Sequence, residues 1–131
     1  MNGNGGWSYL IAIAALLGFA GVIAGAFGAH GLTDGIAAEG RDIFDTAVRF
    51  QMYHALAALA VTQIAKRGKG LFAAIAGWSF IAGIILFSGS LYLRVLTDTA
   101  WLGAVTPFGG IAFLVGWLML AFAALLERRF F

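Results

Sequence analysis

Apolar positions run in four long stretches, and polar positions gather between them. The first stretch runs from Trp7 to about Gly28. The second runs from about Thr46 to Ile64, with a polar helical lead-in from Arg41. The third runs from Leu71 to Leu93, and the fourth from Pro107 to Leu126. Each is about 19–23 residues, close to the roughly 20 that cross a hydrocarbon layer about 30 Å thick. Backbone groups find no water there, so each stretch predicts a helix. Thr106 offers an N-cap for the fourth helix, and Pro107 sits where its missing N–H does no harm. Thr99 to Val105, with Trp101, predicts an interfacial segment. Short connections predict antiparallel neighbours, hence an all-α, four-transmembrane-helix antiparallel bundle in a single domain spanning residues 1–131.

Composition sharpens this picture. The chain has 131 residues, 62% of them hydrophobic and 11% charged. Soluble domains carry roughly 25% charged residues, and small globules leave much of their surface wet. A soluble monomer is therefore excluded. Cysteine is absent, which removes disulfides, thiolate chemistry and cysteine metal sites. The pI is near 9.4, yet the formal net charge is only +2. The basic residues sit at the ends of apolar stretches, so membrane topology accounts for them and no nucleic-acid partner is expected. The first stretch has no basic leader, and its apolar run is long for a secretion signal, which predicts a retained helix.

Lys66, Arg67 and Lys69 lie between the second and third stretches, and Arg128 and Arg129 follow the fourth. The positive-inside rule puts these segments, and with them both termini, in the cytoplasm. The two longer connections carry mixed charge and face outward.

The first helix carries Ala14, Gly18, Gly21, Gly25 and Gly28 within an arc of about 80°. Small residues on one stripe let helix backbones approach closely. The stripe is read as packing within the bundle, with a homo-oligomer seam or a groove for a lipid chain as the alternative. The second helix opens with Asp42, Asp45, Arg49 and Tyr53 on another arc of about 80°. Asp45 and Arg49 stand in the favourable acid-first i,i+4 order. They predict a structural ion pair, or else a patch for a lipid head group or small anion.

A different face of that helix holds Ala47, Gln51, His54 and Ala58. A polar residue inside the membrane is either glue between helices or a proton or ligand contact. His30 ends the first helix at the outer boundary, too far from His54 to share a haem with it. The third helix ends with Ser88, Gly89, Ser90, Tyr92 and Arg94, whose serines are expected to bond carbonyls one turn back. Trp7, Tyr9, Tyr92 and Trp101 fit an aromatic belt. No catalytic or phosphate-cradling motif is present.

Four segments occur in a telling order: Gly25-Ala26-Phe27-Gly28-Ala29-His30-Gly31-Leu32, Tyr53-His54-Ala55-Leu56, Phe87-Ser88-Gly89-Ser90-Leu91-Tyr92 and Thr106-Pro107-Phe108-Gly109-Gly110. Together they resemble a family of small bacterial inner-membrane proteins, the domain-of-unknown-function family four-two-three, related to the transmembrane protein two-five-six group of animals. The resemblance runs from about Ala14 to Leu126. It implies a multi-pass inner-membrane protein with four membrane helices, and it supplies no catalytic residues.

The expectation is then a non-enzymatic membrane protein that packs with itself, a membrane partner or lipid through its Gly-rich faces, without metal or cofactor. The alternative is a small transporter or proton-linked carrier using His30, Asp45, Arg49, Tyr53, His54, Ser88, Ser90 and Tyr92 as an outer polar cluster. A membrane enzyme or cofactor protein is the third reading.

Overall fold

The computed structural model describes residues 4–31, 36, 38–65 and 70–126. Asp34, Lys66, Arg67, Lys69, Arg128 and Arg129 lie outside the described residues.

The described residues form helices throughout. Helix α1 spans Asn4–His30 and α2 spans Ala38–Ala65. Helices α3, Leu71–Gly83, and α4, Gly89–Thr97, are joined by a π turn over Ile84–Ser88. They run as one rod from Leu71 to Thr97. A 3₁₀ turn over Ala100–Ala104 leads into α5, Thr106–Leu126. Asp98 ends α4 in the left-handed region, where a short polar side chain is tolerated, and its N–H bonds the Arg94 carbonyl.

Contacts between helices set their directions. Gly28 faces Phe44, Gly25 faces Val48 and Gly21 faces Met52, so α2 runs antiparallel to α1. Ser88 bonds Ala47 while Phe80 lies beside His54, so the α3–α4 rod runs antiparallel to α2. Gly109 faces Phe87, Gly83 faces Phe113 and Gly116 faces Phe80, so α5 runs antiparallel to the rod. Helices α1 and α5 are not packed together, and α5 meets α2 chiefly around Phe50 and His54. The four long segments therefore make an antiparallel folded row with a lateral groove between α2 and α5.

Three segments are long and apolar enough to cross a membrane: Gly5–His30, Leu71–Thr97 and Ala100–Leu126. Helix α2 differs from the expectation of a fourth equivalent span. Its first half carries Glu39, Arg41, Asp42, Asp45, Arg49 and Gln51, and its second half holds His54, Thr62 and Gln63, which lowers its hydropathy. Its position explains this. Ala47, Gln51, His54, Ala58, Val61 and Ala65 form a buried seam at alternating steps of four and three residues. Helices α1, α3 and α4 cover that seam, with Phe113 and Trp117 of α5 closing it at His54, so polar residues there meet protein rather than lipid. Helices α1 and α5 instead turn large apolar side chains outward, among them Leu16, Phe19, Val22, Leu114, Leu118 and Leu125. For a chain in water this would be an aggregation surface; against acyl chains it is the ordinary lipid face.

Glycine allows the closest crossings. A Cβ on Gly109 would come within 2.3 Å of the Phe87 backbone nitrogen, and one on Gly83 within 2.3 Å of the Phe113 ring. The π turn lies at the same crossing. The Gly89 N–H reaches back five residues to the Ile84 carbonyl, which widens the rod where Phe87 passes Gly109.

Candidate functional site

The polar residues singled out from the sequence fall into separate groups. The deepest group centres on His54, which is 5% exposed. Its Nδ1 lies 2.7 Å from the Phe50 carbonyl, and the Trp117 indole N–H donates to its Nε2 at 3.0 Å. An indole nitrogen only donates and a carbonyl only accepts. Nε2 must therefore be the acceptor and Nδ1 the donor, so the ring is the neutral Nδ1–H tautomer. The imidazole stacks on Phe113 with centroids 3.6 Å apart and planes 10° from parallel. Phe50, Phe80 and Trp117 complete an aromatic box around it.

One turn away, Gln51 ties three helices. Its amide donates to the Leu17 carbonyl of α1 at 2.7 Å, and its Oε1 accepts from the Tyr92 hydroxyl of α4. Tyr92 also packs its ring on Phe44. It is thus a strut between α2 and α4, where the sequence pattern favoured an aromatic-belt residue. Gln51 sits on the α1 and α4 side of α2, while His54 faces α3 and α5.

The two serines act differently from each other. Ser90 donates to the Phe87 carbonyl one turn back at 2.9 Å, as its position predicts. It also meets the Thr106 hydroxyl at 2.6 Å, so Thr106 fastens α5 to α4. Ser88 departs from the expected local bond. Its hydroxyl donates across to the Ala47 carbonyl of α2 at 2.7 Å, fully buried. The π turn directs the side chain outward from its own helix toward α2.

Asp45 and Arg49 form an ion pair at 3.2 Å, with side chains 66% and 57% exposed. Tyr53 follows on the same outward arc, 55% exposed, and leans on the Phe50 ring. His30 lies exposed at the end of α1. The proposed outer cluster of His30, Asp45, Arg49, Tyr53, His54, Ser88, Ser90 and Tyr92 is therefore not one constellation. It divides into an outward ion pair with Tyr53, a Gln51–Tyr92 strut, a His54–Trp117 pair and two serine fasteners. Among the described residues no three His, Cys, Asp or Glu side chains come together as metal ligands.

The glycine stripe of α1 is taken up from within. Ala14 is fully buried, and Gly21, Gly25 and Gly28 stand against Met52, Val48 and Phe44 of α2. Gly18 has open space around it and belongs to no crossing. Gly21 is closed against Met52, whereas Gly25 and Gly28 also border a cavity of about 270 Å³ with Arg41, Asp42 and Asp45. The equally tight Gly77, Gly83 and Gly116 were not singled out by sequence reasoning, and Gly109 entered it only within the Thr106–Gly110 segment. Nor were Trp117 and Phe113, which hold His54. Gly109 and Gly116 are seven apart on one face of α5, which is the one sequence signal that could have marked that crossing.

The exposed ion pair carries a modest expectation. Exposed pairs contribute about 0–1 kcal/mol, because solvent screens them and ordering two long side chains costs entropy. Asp45→Ala should then shift the melting temperature in detergent little, and Asp45→Ala with Arg49→Leu should shift it no more. A large loss in Asp45→Ala alone would place Arg49 in a low-dielectric site instead.

Sequence comparison shows the family. The profile of the family described as "Protein of unknown function (DUF423)" matches residues 24–110. The chain belongs to this family. It is 46% identical over 101 residues to the UPF0382 membrane protein YwdK of Bacillus subtilis, covering 76% of this chain and 82% of that one. It is 44% identical over 113 residues to the UPF0382 membrane protein SAB0533 of Staphylococcus aureus, covering 86% and 92%. A UPF0382 membrane protein of Haemophilus influenzae is 40% identical over 114 residues, covering 87% and 91%. No solved structure matches the chain. This DUF423 chain is thus a membrane protein of a family whose function is not established.

Proposed function

We propose that this DUF423 chain is a non-enzymatic, four-span protein of the inner membrane, with both termini in the cytoplasm, that acts through its lipid-facing outer surface. The carrying observation is how the buried polar groups are spent. Gln51, His54, Ser88, Ser90 and Tyr92 each hydrogen-bond another helix. A carrier needs polar groups that can exchange partners along a path, and a hydrolytic enzyme needs a nucleophile beside a base. Here the same residue types are committed to holding helices together. The outward faces of α1 and α5 are left as the surface for lipid or a membrane partner.

Reading α2 as a fourth span rests on its length and its cover. Its 28 residues correspond to about 42 Å of helix, and its polar seam faces protein. An even number of spans, with the basic loop at Lys66 to Lys69 inside, puts both ends on the cytoplasmic side.

The test uses the absence of native cysteine. Cysteines introduced singly at Asp34 and Lys69 should label differently with an impermeant maleimide on intact cells, Asp34→Cys strongly and Lys69→Cys only after permeabilisation. Equal labelling would overturn the topology. Purified protein in proteoliposomes carrying a pH gradient should dissipate it no faster than empty vesicles. A leak removed by His54→Phe would overturn the non-carrier reading.

A further inference from the structure

Because α5 packs mainly on the α3–α4 rod and meets α2 chiefly around Phe50 and His54, a lateral groove of about 590 Å³ opens between α2 and α5. Phe50, Tyr53 and Leu56 of α2 face Gly110, Leu114 and Trp117 of α5 across it, with His54 and Phe113 between them, and its walls are almost wholly apolar. The Trp117 indole N–H is already bound to His54, so the floor offers no free donor there. Beyond Tyr53, toward the N-terminal end of α2, the same outward arc continues to Arg49 and then Asp45. The order from the middle of the helix outward is apolar groove, phenol, cation, anion.

We propose that this groove holds an acyl chain of a zwitterionic phospholipid with a primary-amine head group, its phosphate on Arg49 and its ammonium on Asp45. The proposal rests on the reading of α2 as a membrane helix. The charge order matches the lipid. In such a lipid the phosphate lies nearer the chains and the ammonium farther out, and Asp45 stands one turn beyond Arg49 from the groove. Both side chains are more than half exposed, so each has room for a second partner. A primary ammonium also keeps N–H donors for the Asp45 carboxylate, which a quaternary one lacks.

The dimensions agree as well. From Arg49 to Leu56 the helix rises about 10 Å, within the roughly 15 Å depth of one leaflet. A second copy of the chain suits the groove less. Membrane helices approach through small residues, whereas Tyr53, Phe108, Leu114 and Trp117 stand exposed along this side. A helix backbone is held off by those side chains, and a thin hydrocarbon chain is not. Paired charges would also be stranded against an apolar neighbour.

The test is native mass spectrometry of the full chain released from bilayer discs of equal parts phosphatidylethanolamine, phosphatidylcholine and phosphatidylglycerol. The expected result is one phosphatidylethanolamine per chain, enriched about tenfold over the other two, which corresponds to about 1.4 kcal/mol. Gly110→Leu puts bulk into the groove at a position whose added Cβ meets nothing within 4 Å, so the fold is kept. It should lower lipid occupancy about tenfold without lowering the melting temperature. Leu114→Trp fills the groove from a second position and should do the same. Asp45→Asn should abolish the preference for phosphatidylethanolamine over phosphatidylcholine, and Arg49→Gln should weaken all three lipids. Equal occupancy of the three lipids overturns the head-group assignment. Undiminished lipid in both groove variants, or a lipid-free dimer broken by them, overturns the site. A proton leak or unexpected labelling would overturn the broader functional reading while leaving the lipid spectrum unchanged, so the two failures are distinguishable.

Discussion

Gly109→Ala is expected to be among the most damaging single-methyl additions in the chain, costing about 3 kcal/mol, the upper end of overpacking. The new Cβ would sit 2.3 Å from the Phe87 nitrogen and 2.7 Å from its Cα. Those are backbone atoms in the π turn, and they cannot rotate aside as a side chain could. Relief requires α5 to lift off the rod, which would also part Gly83 from Phe113 and Gly116 from Phe80. The neighbouring residue supplies the control. Gly110 has nothing within 4 Å of its added Cβ. Gly110→Ala should therefore be neutral or stabilising by up to about 1 kcal/mol, the helix-propensity difference between the two residues. Gly21→Ala should fall between them, because the atom it meets at 2.4 Å is the sulfur of Met52, the far end of a flexible side chain. Thermal unfolding of the three variants in one detergent ranks them. Equal melting temperatures for Gly109→Ala and Gly110→Ala would mean that α5 is not seated against Phe87.

These glycines also show what the sequence could and could not carry. Residue type and local period placed the helices well. Apolar run length marked α1, the α3–α4 rod and α5 to within a few residues, except that the rod continues past Leu93 to Thr97. The α1 stripe was legible because its members recur at steps of three and four on one helix. The crossings of α3 were not, because Gly77 faces Leu10 of α1 while Gly83 faces Phe113 of α5. Two glycines on different faces of one helix make no stripe. The π turn has no local signature either, and it lies where Phe87 passes Gly109. The ion pair of Asp45 and Arg49 was readable as an i,i+4 spacing. The bond from Trp117 to His54 spans 63 residues of sequence, and nothing near either residue announces the other. Charge patterning likewise marked α2 as polar at its start, but only its cover by α1, α3 and α4, and by α5 at His54, shows why a helix with Gln51 and His54 can lie among membrane segments.

That long-range pair gives the second large expected effect. Trp117→Phe keeps most of the aromatic surface but removes the only N–H that reaches His54 Nε2 among the described residues. Nε2 then faces Phe113, Phe80 and the apolar groove with no donor. Leaving a buried acceptor unpartnered costs about 1–3 kcal/mol. His54→Phe has the mirror effect. It strands the indole N–H of Trp117 and also removes the bond to the Phe50 carbonyl, although that carbonyl remains within its helix. The double change His54→Phe with Trp117→Phe removes both polar partners and leaves aromatic rings in similar volumes. It should be less destabilised than the sum of the two single changes by about 1 kcal/mol or more, within the range of coupling seen for contacting residues. Thermal unfolding of the four proteins in one detergent closes the cycle. If His54 serves only to join α2 to α5, the double variant folds and leaves vesicle tightness as in the wild type. If the two single changes instead add without coupling, the hydrogen bond contributes nothing, and Trp117 stands beside His54 only as a hydrophobic wall of the groove.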